Sequence, residues 1–160
     1  ADIDQLNKKG TSLLYIACQK GHFETVSLLI DRGAFINKTT VANKYTSLYT
    51  ACVRGYASIA ALLLDRGAVI NMKTTGGWTA LTAACSRGFV DIAAMLLKWG
   101  ADDDGLLFAT ETRPTVLPTW RKARQIVAHD LQRAGYLLEA YFPTTTSLII
   151  QEYMWARPEI

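Results

Sequence analysis

Several features that often mark an enzyme are absent or scarce in this sequence. It has only two histidines, and it contains no glycine-rich phosphate loop, no paired set of metal ligands and no nucleophile elbow. His129 and Asp130 are neighbours on one predicted helix, so their side chains point in different directions. The sequence therefore predicts a protein that is not an enzyme and that needs no cofactor and no metal ion.

Long hydrophobic runs and a strong charge imbalance are also missing. Half of the residues are hydrophobic, yet no apolar stretch is long enough to cross a membrane, so we expect no membrane partner. The formal net charge is only +3, and no nucleic-acid-binding motif accompanies it. Nucleic acid is therefore not the expected main partner.

Cysteine is rare, and its three copies recur at one position of a repeated segment, as Cys18, Cys52 and Cys85. Stacked helices lie about 8–10 Å apart, whereas the two Cα atoms of a disulfide lie within about 7 Å. We therefore predict that these thiols are small, buried packing residues without disulfides. Unbridged cysteines are typical of a reducing compartment.

The repeated segment itself is the most informative feature of the chain. It has an alanine and a cysteine followed by a basic residue and a glycine, and its copies begin at Ala17, Ala51 and Ala84. The copies are about 33 residues apart, a period typical of one supersecondary unit stacked on copies of itself. Such an array presents an elongated binding surface rather than a closed catalytic pocket.

Each copy predicts two helices separated by a glycine. The first helix begins after a hydroxyl residue and ends at a glycine about two turns later, which are helix start and stop signals. The hydroxyl residues are Ser12, Thr46 and Thr79, and the glycines are Gly21, Gly55 and Gly88. The second helices, with apolar residues at helical spacing, are predicted over residues 22–32, 56–66 and 89–99. The segments between copies are rich in Asn, Gly and Thr and predict projecting loops or hairpins.

The pairs Gly21-His22, Leu28-Leu29 and Gly33-Ala34 have close counterparts in the other two copies. They resemble the consensus of ankyrin repeats, in which these pairs occur in the same order. The resemblance covers residues 1–104 and implies an all-α, ankyrin-repeat solenoid of stacked helix-turn-helix units with projecting hairpin loops. It also implies a structural role for His22.

The match is weaker where each repeat begins, because the Thr-Pro-Leu-His motif of the family is incomplete. Leu13 and Tyr15 stand at the proline and histidine positions of the first copy, and Ala80 and Thr82 stand there in the third. In the family, that histidine builds a hydrogen-bond network. Tyr15 and Tyr49 are candidates to supply a hydroxyl group in its place.

The alignment divides the chain into unequal parts. Residues 1–4 align with residues 34–37, which close the first full repeat, so we predict that residues 1–9 are the tail of a preceding repeat. The three repeats are predicted at 10–43, 44–76 and 77–104. We expect a chain cut from a longer array, with processing as the alternative, and therefore an apolar N-terminal flank.

The last third of the chain matches the repeat less well. We predict a degenerate fourth repeat with an insertion and C-terminal capping helices at 105–160, in which Pro114 and Pro118 interrupt any helix. The predicted helices are a first helix near 105–110, a long amphipathic helix from Thr119 to Phe142, and a last helix from Thr146 or Ser147 through Trp155. The alternative is a small, separate helical domain.

The resemblance places partner binding on the concave surface, which consists of the hairpin tips and the exposed ends of the first helices. The matching positions in this chain are Lys8, Lys9, Thr11, Gln19, Lys20, Asn43, Lys44, Tyr45, Val53, Arg54, Thr75, Gly76, Trp78, Ser86 and Arg87.

Two kinds of residue recur on this predicted surface. Lys20, Arg54 and Arg87 form a basic column at one repeat position, and Tyr45 and Trp78 form an aromatic column at another. The cations also stabilise helix C-termini by roughly 0.3–1 kcal/mol each, which requires no partner. The aromatic residues point more strongly to binding, because Tyr, Trp and Arg dominate the energies of protein interfaces.

The sequence thus predicts a non-catalytic protein–protein interaction module that binds an acidic protein segment on its concave face. The alternative is a nucleic-acid-binding or effector-type scaffold that uses the basic residues Arg121, Lys122, Arg124 and Arg133 on the solvated face of the C-terminal helix. We expect a cytoplasmic or nuclear protein, or one in the host cytosol if it is a bacterial effector. The oligomeric state does not follow from the sequence.

Asn37 and Asn71 occupy the hairpin position that hydroxylases of eukaryotic cells modify in proteins of this family. The simpler interpretation is that each asparagine holds the turn through its side chain, since Asn is a common turn residue for that reason. The third copy has Asp104 at this position.

Overall fold

The fold is built from pairs of short helices that follow one another along the chain. A computed structural model describes residues 2–103 and 116–134, and within these residues it contains seven α-helices and no β-strand. The helices are α1 (Leu13–Lys20), α2 (Phe23–Asp31), α3 (Ser47–Arg54), α4 (Ala57–Asp65), α5 (Ala80–Arg87), α6 (Val90–Lys98) and α7 (Val116–Arg133). The predicted all-α solenoid is confirmed.

The first helix of each repeat begins and ends at the residues that the sequence predicted. The hydroxyl groups of Ser12 and Thr46 accept hydrogen bonds from backbone amides one turn into α1 and α3, and Thr79 does the same for α5. These bonds satisfy amide groups that a helix leaves unpaired at its start. Each helix then ends at a glycine in the left-handed conformation, which few other residues adopt without strain.

Thr82 occupies the position where the family has histidine, and its hydroxyl group caps the start of α5. Its hydroxyl accepts a hydrogen bond from the Thr79 amide at 2.8 Å and donates one to the Thr79 carbonyl at 3.0 Å. The Thr79 hydroxyl in turn accepts from the Thr82 amide, which completes a reciprocal capping box. The third repeat therefore fixes the start of α5 without the missing histidine.

The helices stack in two rows. The first helices α1, α3 and α5 contact one another in order, and the second helices α2, α4 and α6 do the same. One leucine from every helix is buried between the rows, at Leu14, Leu48 and Leu81 in the first helices and at Leu29, Leu63 and Leu96 in the second. Each such side chain contributes roughly 1.5–3 kcal/mol by leaving water.

The three cysteines lie in the same core. Cys18, Cys52 and Cys85 are fully buried and unpaired, as the sequence predicted. Burial disfavours the charged thiolate and raises the pKa of Cys18 and Cys85 to about 12, and it raises the pKa of Cys52 further. These thiols are therefore packing groups rather than nucleophiles at neutral pH.

Side chains in the loops that precede α1, α3 and α5 tie each repeat to the next. Oδ1 of Asn37 accepts a hydrogen bond from the amide of Val69 at 2.8 Å, and Oδ1 of Asn71 accepts from the amide of Asp102 at 2.9 Å. Asp4, at the equivalent position, accepts from the amide of Phe35 at 2.9 Å. These bonds join neighbouring repeats. The interpretation that each asparagine holds its own turn stays a prediction, as does the hydroxylation of Asn37 and Asn71.

Helix α7 covers the C-terminal end of the array, where it packs on both α5 and α6. It begins at Val116 rather than after Thr119, so the prediction that Pro118 interrupts any helix is wrong. Pro118 lies in the first turn, where backbone amides have no carbonyl partner within the helix and proline is tolerated. The helix ends at Arg133.

Other predictions for the last third lie outside the described residues. They are the first helix near 105–110, the interruption at Pro114, the extension of the long helix from residue 135 to Phe142 and the last helix through Trp155.

Arg124 lies on α7 but is buried, which corrects the prediction of a solvated side chain at this position. It is 8% exposed, its guanidinium lies 5.0 Å from the centre of the Trp120 ring, and Nη1 lies 3.4 Å from a carboxylate oxygen of Asp103. Burial lowers the pKa of Arg124, and the Asp103 charge opposes that shift. A second ion pair, between Lys98 and Asp130, joins α7 to α6 at the surface.

The opposite end of the array exposes apolar side chains. Leu13 is 51% exposed, whereas its counterparts Ser47 and Ala80, which lie against the preceding repeat, are 1% and 2% exposed. Leu28 is also more than half exposed, whereas its counterparts Leu62 and Met95 are half-buried. The described N-terminal flank is therefore apolar, as predicted.

Candidate binding groove

A groove lies between the second and third repeats, on the side formed by the hairpin loops and the first helices. Its volume is about 480 Å³, which is within the range of roughly 300–1,000 Å³ found for ligand sites. The residues that line the groove are Asn43, Tyr45, Tyr49, Val53, Thr74, Thr75, Gly76, Trp78, Ser86 and Arg87.

Two stacked tyrosines form one wall of the groove. The ring centres of Tyr45 and Tyr49 are 4.9 Å apart, and the ring planes differ by 17°. Tyr45 comes directly before the cap residue Thr46, and Tyr49 lies in the first turn of α3. Because aromatic pairs of this geometry attract one another, the two rings stiffen this wall.

The hairpin hydrogen bonds hold the two predicted aromatic residues in place. The amide of Tyr45 donates to Oγ1 of Thr40 at 3.0 Å, and the amide of Trp78 donates to Oγ1 of Thr74 at 3.1 Å. Both threonines are buried. Tyr45 and Trp78 therefore occupy equivalent, fixed positions in successive hairpins.

A direct backbone bond joins the two hairpins that border the groove. The amide of Thr75 donates to the carbonyl of Asn43 at 3.0 Å. Next to it, Lys44 has a φ of 53°, and Gly77 in the third repeat has a φ of 78°. A lysine in this left-handed region is uncommon, so the surrounding hairpin must hold it there. The distance between the two hairpins is thus set by the backbone.

Arg87 supplies the positive charge of the groove. It is exposed in the last turn of α5, and Lys20 and Arg54 are exposed at the same position of α1 and α3. No carboxylate belongs to the residues that line the groove. An anionic group is therefore better matched to this groove than a cationic one.

The structure brings about half of the predicted surface together in the groove. The predicted residues that line it are Asn43, Tyr45, Val53, Thr75, Gly76, Trp78, Ser86 and Arg87. The predicted residues that lie outside its lining are Lys8, Lys9, Thr11, Gln19, Lys20, Lys44 and Arg54.

Sequence reasoning missed two residues of the groove. Tyr49 was considered only as a replacement for the family histidine, and Thr74 was not considered at all. A signal for Tyr49 did exist, because it lies four residues after Tyr45 and one turn into a predicted helix. Thr74 could have been found by its alignment with Thr40.

Other kinds of site have less support in the described part of the chain. None of its helices is both long and apolar enough to span a bilayer. No cluster of three or more His, Cys, Asp or Glu side chains able to hold a metal ion occurs among residues 2–103 and 116–134. The basic residues of α7 do not form one exposed stripe, because Arg124 is buried against Asp103 and Trp120.

Stacked helix pairs, hairpins that project to one side and a groove between adjacent repeats define a solenoid of the helical repeat class. The family model described as ankyrin repeats, three copies, matches residues 1–74 and 37–105. The chain therefore belongs to the ankyrin repeat family. No curated protein sequence matches it. Ankyrin repeats generally mediate protein–protein interaction, and the family is generally non-catalytic.

Proposed function

We propose that this chain is a non-catalytic module that binds an acidic segment of another protein on its concave face. The groove between the second and third repeats is the observation that carries the proposal. It combines three aromatic rings with a positive charge and with no lining carboxylate. Tyr45 and Trp78 act as anchors, and Lys20, Arg54 and Arg87 attract the acidic segment.

Burial supports the role of the two anchors. Tyr45 and Trp78 are half-buried, so each ring packs on the array by one side and faces the groove with the other. Rings held in this way lose little conformational freedom when a partner covers them. Since binding energy concentrates in a few such residues, we expect these two to dominate the affinity.

The cations have a different role, because they are exposed. An exposed charge adds little to the stability of a complex but speeds the encounter with a partner of opposite charge. Lys20, Arg54 and Arg87 recur once per repeat along the same side. We also propose that binding takes place in a cytoplasmic or nuclear environment, since the three thiols are unpaired.

The test compares three forms of the whole chain in an affinity pull-down from a cell lysate. The groove variant carries Tyr45→Ala, Trp78→Ala, Arg54→Ala and Arg87→Ala. The control variant carries Phe35→Ala, Trp99→Ala, Lys122→Ala and Arg133→Ala, which removes two exposed aromatic residues and two exposed cations outside the groove. Circular dichroism establishes that all three forms fold.

We expect proteins that are retained by the parent and the control variant but lost with the groove variant. The captured partner is then divided into fragments, and the fragment that binds should be acidic and bind less tightly as salt rises. Equal capture by all three forms would contradict the proposal. Recovery of nucleic acid alone would favour the alternative predicted from the C-terminal helix.

A further inference from the structure

We propose that the groove selects an acidic segment that contains proline and binds it in the polyproline II conformation. This inference rests on the proposed function and states the conformation and composition of the partner segment. It follows from a comparison of the groove with the ways in which proteins recognise peptides, which are addition of a strand to a sheet, docking of an amphipathic helix, and docking of a polyproline II segment.

Strand addition requires the unpaired edge of a β-sheet. The described residues contain no β-strand. The hairpin loops that border the groove also use their backbone groups on each other, as in the bond from the Thr75 amide to the Asn43 carbonyl. The groove therefore has no edge on which a partner strand could continue a sheet.

Docking of an amphipathic helix requires a wide aliphatic groove, because the helix presents a continuous apolar face. Val53 is the one aliphatic residue among those that line this groove. Four other lining residues, Asn43, Thr74, Thr75 and Ser86, carry uncharged polar side chains. A helix with a Leu-rich face would therefore meet few aliphatic side chains in this groove.

Polyproline II segments dock in grooves that are lined by aromatic rings. The groove has such rings in the Tyr45 and Tyr49 stack on one repeat and in Trp78 on the next. The backbone bond from Thr75 to Asn43 holds the two hairpins together. Proline rings pack well on aromatic faces, and a segment already in this conformation loses little entropy when it binds.

Charge selects among proline-rich segments. Aromatic rings also attract ammonium groups, so a lysine-containing segment has to be considered. Arg87 lines the groove and Lys44 and Arg54 are exposed nearby in the same repeat pair, while no lining residue is acidic. A cationic segment would be repelled, whereas glutamate or aspartate beside the prolines would lie close to Arg87.

Three synthetic peptides of equal length test the inference by fluorescence anisotropy with the whole chain. The first repeats Glu-Pro-Pro, the second repeats Glu-Ala-Ala, and the third repeats Lys-Pro-Pro. The second peptide keeps the negative charge but removes proline, and the third keeps proline but reverses the charge. We expect the Glu-Pro-Pro peptide to bind at least about tenfold more tightly than either of the others.

Two single variants locate the binding site. Tyr45→Ala and Trp78→Ala should each weaken binding of the Glu-Pro-Pro peptide about fivefold or more, whereas Trp99→Ala should not change it. Tyr45→Ala tests the site even if Trp78→Ala does not fold. Unchanged affinity in a folded Tyr45→Ala variant would place the peptide elsewhere and overturn the inference.

The outcomes separate this inference from the proposed function. Equal binding of the Glu-Pro-Pro and Glu-Ala-Ala peptides would overturn the selection of proline and leave an acidic partner segment in place. Tightest binding of the Lys-Pro-Pro peptide would contradict both. Failure of all three peptides to bind would overturn the inference, while the pull-down with the groove variant would still decide the proposed function.

Discussion

At the scale of single residues, a glycine packs closely against an aromatic ring where neighbouring repeats meet. A Cβ atom added to Gly55 would lie 2.8 Å from the ring of Phe89, and one added to Gly21 would lie 2.7 Å from the ring of Tyr56. Both glycines also have a positive φ. They therefore serve two purposes, because they end a helix and make room for the next repeat.

Gly55→Ala should disturb both the helix end and the contact with the next repeat. Its φ of 82° and its contact with Phe89 both oppose a side chain, so we expect a loss of about 2–4 kcal/mol in the free energy of unfolding from strain and overpacking together. Urea denaturation followed by circular dichroism gives this quantity.

Gly67→Ala is the matched control for this substitution. Gly67 has a φ of 88°, yet a Cβ atom placed there meets nothing within 4 Å. It should therefore cost only the left-handed strain of about 1–2 kcal/mol. Equal losses in the two variants would show that the contact with Phe89 is unimportant.

At the scale of structural elements, side-chain oxygens in the loops that precede α1, α3 and α5 bind the following repeat. The oxygens of Asp4, Asn37 and Asn71 accept hydrogen bonds from the amides of Phe35, Val69 and Asp102 respectively. Either asparagine or aspartate can make this contact, because all three bonds need only a side-chain oxygen that accepts a hydrogen bond. We therefore expect an alanine at position 37 to destabilise the fold more than an aspartate.

We expect Asn37→Ala to lower the free energy of unfolding by about 1 kcal/mol or slightly more, since it leaves the Val69 amide without its acceptor. Asn37→Asp keeps the acceptor and should cost less, although it loses the bond from Nδ2 of Asn37 to the Gly67 carbonyl. Denaturant titration of both variants measures the difference. Identical stability of the alanine and aspartate variants would contradict the acceptor role.

The attachment of α7 to α6 should depend on pH. A hydrogen bond from Lys98 holds the pKa of Asp130 below its usual value. Because this pKa is lower in the folded chain, the stabilisation is present above the unfolded value of about 3.9 and is lost as the pH falls through the folded value. We expect Asp130→Asn to be less stable than the parent at neutral pH and equally stable in strong acid.

Lys98→Met provides the control for this pH dependence. It removes the partner that lowers the pKa of Asp130 most, while His129 contributes less. Lys98→Met should therefore produce most of the same pH-dependent change, and the double variant should lose little more than Asp130→Asn alone. Free energies of unfolding at several pH values test both statements. A full additional loss in the double variant would show that the two groups act independently.

At the scale of the whole molecule, the two described ends of the array are unlike. Helix α7 covers one end, where Trp120 and Val127 are buried. The other end exposes Leu13, whose counterparts in later repeats are covered by a neighbour. Stability in such an array comes from each repeat and from its contacts with its neighbours. Removing an apolar side chain should therefore have very different effects at Leu13 and at the adjacent Leu14.

We expect Leu13→Ser to change the free energy of unfolding by less than about 0.5 kcal/mol, because this side chain is half exposed. Leu14→Ala should cost about 2–5 kcal/mol, because Leu14 is 1% exposed and its removal leaves a cavity. Thermal and urea unfolding compare the two variants. A large loss in Leu13→Ser would indicate that something covers this end in solution.

Much of the fold was predictable because its signals are local. Ser12, Thr46 and Thr79 start helices through contacts only three residues away, and the glycines that end these helices act within one turn. The exception at Pro118 is also local. Proline is a helix breaker only beyond the first turn, and the sequence did not reveal that the helix begins at Val116.

The candidate site and the environment of α7 were less predictable because they depend on distant contacts. The repeat alignment placed Tyr45 and Trp78 in equivalent positions, but it could not show that Tyr49 stacks on Tyr45 and completes one wall of the groove. The burial of Arg124 depends on Asp103 and on packing against α5 and α6. A helical pattern of charges alone cannot distinguish such a residue from a solvated one.

The groove draws its walls from two repeats, with Tyr45, Tyr49 and Val53 on the second and Trp78 and Arg87 on the third. Under the proposed function, specificity is therefore a property of the junction between the two repeats and is encoded by neither repeat alone. Duplication or exchange of a single repeat would keep one wall of the groove and replace the other. The result would be a groove with a different lining. Transfer of the two repeats as a pair would carry the whole site into a different array.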